Sequence, residues 1–152
     1  MNICLTHFHH LLLISFMITP GTFYGDSSEK SPLISTHVQT TDPFMTDISI
    51  AGISTPSLIR GGETVEIFVA VNNLGNQDIT EEIIIELTDQ TDNVEIGSKL
   101  IRDGLAQGNS TTLRFIWNTE ESSLGDHTLN ASHNYGDDVE DNNFLTDTVI
   151  IR

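Results

Sequence analysis

The sequence predicts an all-β protein, a sandwich of about seven short antiparallel strands. Three observations carry this reading. Residues 64–72, TVEIFVAVN, put Val65, Ile67, Val69 and Val71 on one face and Thr64, Glu66, Phe68 and Ala70 on the other. Strict alternation of this kind marks a strand with one buried side, and the β-branched content agrees. From Asp47 onward, turn-forming residues recur roughly every ten positions, the punctuation of a multi-stranded sandwich. No window carries apolar residues at the spacing of a helix face.

Taken from the N-terminus, residues 1–25 hold an apolar run from Leu11 to Ile18 interrupted only by Ser15, with Gly21 and Gly25 after it. An apolar centre followed by small residues is the layout of a secretory signal, and the run is far shorter than the ~20 apolar residues a membrane-spanning helix needs. Cys4, the single cysteine, precedes the run, so a cleaved chain holds no thiol and no disulfide. Residues 26–46 are rich in Ser and Thr and broken by Pro32 and Pro43, the composition of a flexible linker. The domain is expected over residues 47–152.

Within it, residues 47–53 put Ile48 and Ile50 on one face, with Gly52 marking a bulge before Ile53. Residues 81–89 turn Ile83, Ile85 and Leu87 inward, and residues 95–101 form a shorter, weaker strand. Residues 110–117 bury Leu113, Phe115 and Trp117 and expose Arg114 and Ile116; residues 127–133 bury Leu129 and Ala131; residues 145–152 bury Val149 and Ile151. Ile84 and Ile116 are outward apolar residues that would form a small contact patch if their strands were neighbours. The segments between the strands, such as NNLGNQD and YGDDVEDNN, are built from turn residues.

The chain carries 22 acidic and 6 basic residues, a formal net charge of -16, and all but three of the acids lie from Asp47 onward. Phosphate binding requires clustered Lys and Arg, so nucleic acid is excluded as a partner, and an anionic membrane surface with it. No membrane insertion is expected once the signal is removed. There is no P-loop, dinucleotide fingerprint or G-x-S-x-G elbow. The adjacent acids Glu81 and Glu82, or Glu120 and Glu121, point to opposite faces of an extended chain and cannot act as a paired acid and base. An enzyme is not expected.

The ordered marks of the domain are Asn73 and Gly75 after the second strand, Leu105 and Gly108 before the fifth, Phe115 and Trp117 within it, and acids followed by Asn142 and Asn143 before the last. In this order they resemble CARDB, the cell-adhesion-related domain of bacterial and archaeal surface proteins. The resemblance covers residues 47–152. It implies an immunoglobulin-like sandwich, exported, secreted or held at the cell surface, with a role in adhesion or scaffolding toward a protein or glycan partner. Where the family often has an aromatic residue at the start of the sixth strand, this chain has His127, two residues after Gly125. Asn73 and Gly75 are expected to supply positive-φ turn conformations, and Asn142 and Asn143 to cap turn backbone groups.

Asp137, Asp138, Glu140, Asp141 and Asn142 are the candidates for a cation site, since calcium takes converging carboxylate and amide oxygens. The spacing is not that of an EF-hand, and the competing expectation is a solvated turn with no cofactor. A calcium- or carbohydrate-binding module built on residues 137–143 is the alternative to adhesion. A carbohydrate site on a sandwich needs aromatic platforms, for which only Trp117, assigned to the core, and Tyr135 are available. His127 and His133 share a strand face but stand roughly 20 Å apart, too far for one ion; they are expected at the core rim and a strand end. Asn109 and Asn130 begin N-x-S/T sequons and are candidate glycosylation sites.

Overall fold

The computed structural model describes residues 43–152. The signal segment and most of the linker expected from the sequence lie outside them. Among the described residues, eight strands form two sheets. One sheet, in the order β1-β3-β6, holds β1 (Ile48–Ser54), β3 (Thr64–Asn73) and β6 (Ser110–Asn118). The other, in the order β2-β8-β7-β4-β5, holds β2 (Leu58–Ile59), β8 (Phe144–Ile151), β7 (Gly125–His133), β4 (Ile83–Asp89) and β5 (Val94–Ile101). All seven strands anticipated from the sequence are present and pair antiparallel. The additional strand, β2, runs parallel to β8, pairing Leu58 with Ile150 and Ile59 with Ile151; two residues are too few to show a period. A single 3-10 turn, Glu140–Asn142, precedes β8.

The alternation decides the core. Ile67, Val69 and Val71 of β3 are buried against Ile83, Ile85 and Leu87 of β4, Leu129 and Ala131 of β7, and Val149 and Ile151 of β8. Full burial of each such side chain contributes roughly 1.5–3 kcal/mol. Phe115 and Trp117 of β6 close the core, opposite Ile67 and Val65 in the register. Val65 and Leu113 are half-buried rim residues. Ile59 of β2 adds core surface, as do Ile79 and Leu105 from the connections, the last two through an isolated bridge. The bulge expected at Gly52 is present: the β1–β3 register shifts between Ile50 and Gly52, so Ile50 and, less completely, Ile53 both pack on the core.

Two expectations about turns are corrected. Among the described residues outside glycine, only Asn93 has positive φ, and Gly75 is not among the positive-φ glycines. Gly75 is required for close approach instead: a Cβ there would sit 2.5 Å from the carbonyl oxygen of Met45. Asn73 is buried; its amide donates to the carbonyls of Gln77 and Leu105, each at 2.8 Å, and its oxygen accepts from the Gly75 N–H. The Met45 N–H donates to Asn76 Oδ1 at 2.8 Å, and the Met45 carbonyl accepts from the Asn76 N–H at 3.0 Å. Residues 43–46 are thus tied to the domain.

Candidate functional site

At one end of the sandwich, the β4–β5 turn meets the loop that enters β7. Asp89 ends β4 on the face that carries Ile83, Ile85 and Leu87, and His127 lies on the face of β7 that carries Leu129 and Ala131. Pairing of β4 with β7, which sets Asp89 opposite Leu129, brings the two polar side chains together inside the core. Both are fully buried. His127 Nδ1 lies 2.7 Å from Asp89 Oδ2, and Nε2 lies 2.7 Å from the carbonyl oxygen of Ser123. Both partners are acceptors, so the ring satisfies them by carrying a proton on each nitrogen. Burial pulls the His127 pKa down, but the hydrogen bonds to Asp89 and to the Ser123 carbonyl, with the charges of Asp89 and Asp92, outweigh it. The net shift is upward.

Asp92, in the turn, places Oδ2 3.8 Å from His127 Nδ1. The Ser123 hydroxyl and backbone N–H donate to its two oxygens at 2.7 and 2.8 Å, and these bonds hold its pKa below the usual carboxylate value. Asp89 accepts a second bond, from the Thr91 N–H at 3.0 Å. Trp117 meets the His127 ring edge-on, with centroids 5.8 Å apart. The three ligand-bearing atoms of Asp89, Asp92 and His127 lie within 4.8 Å of one another, the one such group among the described residues. His127 is therefore not at the core rim as expected.

In the acidic loop before β8, two carboxylates bond to the start of the domain. Asp137 Oδ2 accepts the Ile48 N–H at 2.7 Å, and Asp138 Oδ2 accepts both the N–H and the hydroxyl of Thr46. His133 Nε2 donates to the Ile48 carbonyl at 2.7 Å, so both backbone groups of Ile48 are clamped. The Asn142 amide donates to Asp47 Oδ1, a side chain and not the turn backbone foreseen. Asn143, with its amide turned to satisfy its neighbours, donates to the Val139 carbonyl at 2.9 Å. Glu140 and Asp141 are exposed in the 3-10 turn. Of the sequons, Asn109 is exposed in the loop before β6, while Asn130 is half-buried on β7 between β4 and β8. Trp117 is buried, with a cleft of about 350 Å³ beside it rimmed by Glu95, Glu120 and Glu121; it offers no platform to a sugar.

The two outward isoleucines do not meet. Ile84 lies on the outer face of the five-stranded sheet and Ile116 on that of the three-stranded sheet. Ile116 instead lies diagonally across the β3–β6 pair from Phe68, within reach of an aromatic ring. The two are 47% and 38% exposed. On β3 and β6 their face otherwise holds Thr64, Ala70, Asn72, Ser110, Thr112, Asn118 and one ion pair, Glu66 with Arg114.

Residues 45–147 match the CARDB family model. The chain belongs to the CARDB family. Among solved structures, the CARDB domain of a Pyrococcus furiosus protein, crystallised in complex with di-metal ions, is similar at 19% identity with a TM-score of 0.60, covering 70% of this chain and 94% of that one. A solution structure of the same domain gives 19% identity and a TM-score of 0.60 over 71% and 96%. A β-glucosidase from Erythrobacter marinus shares the fold at 13% identity and a TM-score of 0.51; the match covers 70% of this chain but 16% of that enzyme. No curated protein matches the sequence. Among the described residues, no helix is long and apolar enough to cross a membrane.

Proposed function

We propose that this CARDB domain is an exported, non-catalytic interaction module that binds a protein component of a cell surface through the outer face of β1, β3 and β6. One observation carries the reading. In a chain of net charge -16, the β3 and β6 residues of this face hold a single acid, Glu66, neutralised by Arg114 across the strand pair. A surface of no net charge carrying Phe68 and Ile116 suits an apolar, rigid partner, because only one ion pair must be desolvated on contact. A protein fits better than a glycan, since the tryptophan that would stack on a sugar is buried.

The test compares the full chain with Phe68→Glu and Ile116→Lys variants for retention on isolated cell envelopes. Retention of the parent and its loss in both variants, with unchanged melting temperatures, is the expected result. Equal retention of all three places the contact elsewhere. A second reading, that the module carries a cation, is favoured by the di-metal complex of the archaeal relative.

A further inference from the structure

We propose that Asp89, Asp92 and His127 are the ligands of a divalent cation of borderline softness, such as Zn²⁺, and that this ion staples the β4–β5 turn to the loop entering β7. The inference rests on the cation reading above and assigns its residues and ion class. It places the ion away from residues 137–143, where the sequence put calcium. Asp137 and Asp138 spend carboxylate oxygens on the backbone amides of Ile48 and Thr46, which anchor β1.

Geometry and chemistry both fit. Zinc bonds nitrogen and carboxylate oxygen at about 2.0–2.2 Å, so tetrahedral ligand atoms stand roughly 3.4 Å apart. Here His127 Nδ1 is 2.7 Å from Asp89 Oδ2 and 3.8 Å from Asp92 Oδ2, values that bracket the requirement. The third edge, between Asp89 and Asp92, is no longer than 4.8 Å, so the three side chains close on an ion by moving toward one another. Ligating histidines almost always donate their second ring N–H to a carbonyl or carboxylate, which fixes ring and tautomer. His127 Nε2 already does so, to Ser123 O at 2.7 Å. The other ligands are braced too, Asp89 by the Thr91 N–H and Asp92 by the Ser123 N–H and hydroxyl. On metal binding the Nδ1 proton leaves to solvent, and the ion takes over its electrostatic role between ring and carboxylates. Asp92, whose side chain is 21% exposed while the other two are buried, is the ligand reached from solvent.

The donor set also chooses the ion. Calcium takes six to eight oxygens, and magnesium keeps most of its waters. One imidazole and two carboxylates in a nearly dry pocket offer too few oxygens for either, and imidazole favours zinc, cobalt and their neighbours. The site further accounts for a buried histidine–aspartate pair, which by itself contributes little to stability.

Trp117, the single tryptophan, lies 5.8 Å from the His127 ring and reports on binding beside it. The full chain, stripped with EDTA, is titrated with CoCl₂ while Trp117 fluorescence is followed, then with ZnCl₂ as competitor and CaCl₂ as control. Asp92→Asn, which keeps one acceptor oxygen for Ser123 and empties no core volume, is the main variant; His127→Gln is the second. Expected are cobalt quenching of Trp117, reversal by zinc, no effect of calcium, and at least about tenfold weaker binding in Asp92→Asn. Calorimetry that detects no cobalt, zinc or calcium binding to the parent chain overturns the cation reading itself. Binding that leaves Trp117 unquenched, or is unchanged in Asp92→Asn, keeps that reading and overturns this assignment.

Discussion

His127 and His133 occupy opposite ends of the inner face of β7, six residues apart, and the chain treats them differently. At the first end both ring nitrogens face acceptors, Asp89 and the Ser123 carbonyl, with a second carboxylate nearby. At the other, Nε2 donates to the Ile48 carbonyl, Asp137 stands 4.0 Å away, and Nδ1 is buried with no partner. One end holds a ring with an acceptor at each nitrogen and two carboxylates beside it. The other is a structural tie that fastens the start of β1. Burial alone does not make a histidine a site; the number and charge of the acceptors around it do.

The largest effect is expected between the two ends, in the layer both depend on. Val69 is fully buried on β3, so Val69→Asp places an unpaired carboxylate in the core and unfolds the domain, with a loss of several kcal/mol. Loss of the cooperative melt in circular dichroism checks it.

The comparison itself is tested by His127→Gln against His133→Gln. The first leaves Asp89 buried beside a neutral group, a loss of about 3–5 kcal/mol. The second weakens one hydrogen bond, to Ile48 O, at a cost of about 1 kcal/mol. Urea midpoints for the two variants decide it; equal losses would mean that the two ends are alike.

The same asymmetry has a pH signature. The His127 pKa is raised in the folded chain, so its favourable charge contributes fully below the unfolded value of about 6.5 and is lost as pH rises through the higher folded value. In EDTA, the melting temperature of the parent falls with rising pH in this range, whereas His127→Gln lacks that component. A parent curve that rises with pH instead would contradict the charged pair.

Much of this fold was legible in the sequence because β-structure writes its facing directly into parity. Ile83, Ile85 and Leu87, or Leu129 and Ala131, needed no partner to be placed. The site was harder to read because its three ligands come from two segments joined by strand pairing, and pairing order is invisible in one strand. A signal was nevertheless present. His127 has the parity of Leu129 and Ala131, and Asp89 that of Ile83, Ile85 and Leu87. Two ionisable residues on core faces of opposite charge type require each other. The acidic run at 137–141 drew the cation expectation by density of charge; that Asp137 and Asp138 also fold back onto residues 46–48 is a long-range contact one segment cannot show. Gly75 misled for a related reason: a glycine demanded by a distant backbone approach looks the same in sequence as one demanded by φ.

The smallest effect is expected where charge is exposed. Glu66 and Arg114 pair across β3 and β6 with about half of each side chain in water, so solvent and salt screen the attraction and its worth is below about 1 kcal/mol. Glu66→Ala is therefore expected to shift the urea midpoint by no more than about 0.5 kcal/mol, although Glu66 sits only three residues from Val69. In the contact-face reading the same change has a second consequence. It leaves Arg114 unneutralised beside Phe68 and Ile116, so envelope retention should fall more than stability does. Stability and retention falling together would mean that Glu66 holds the strand pair and contributes nothing of its own to the surface.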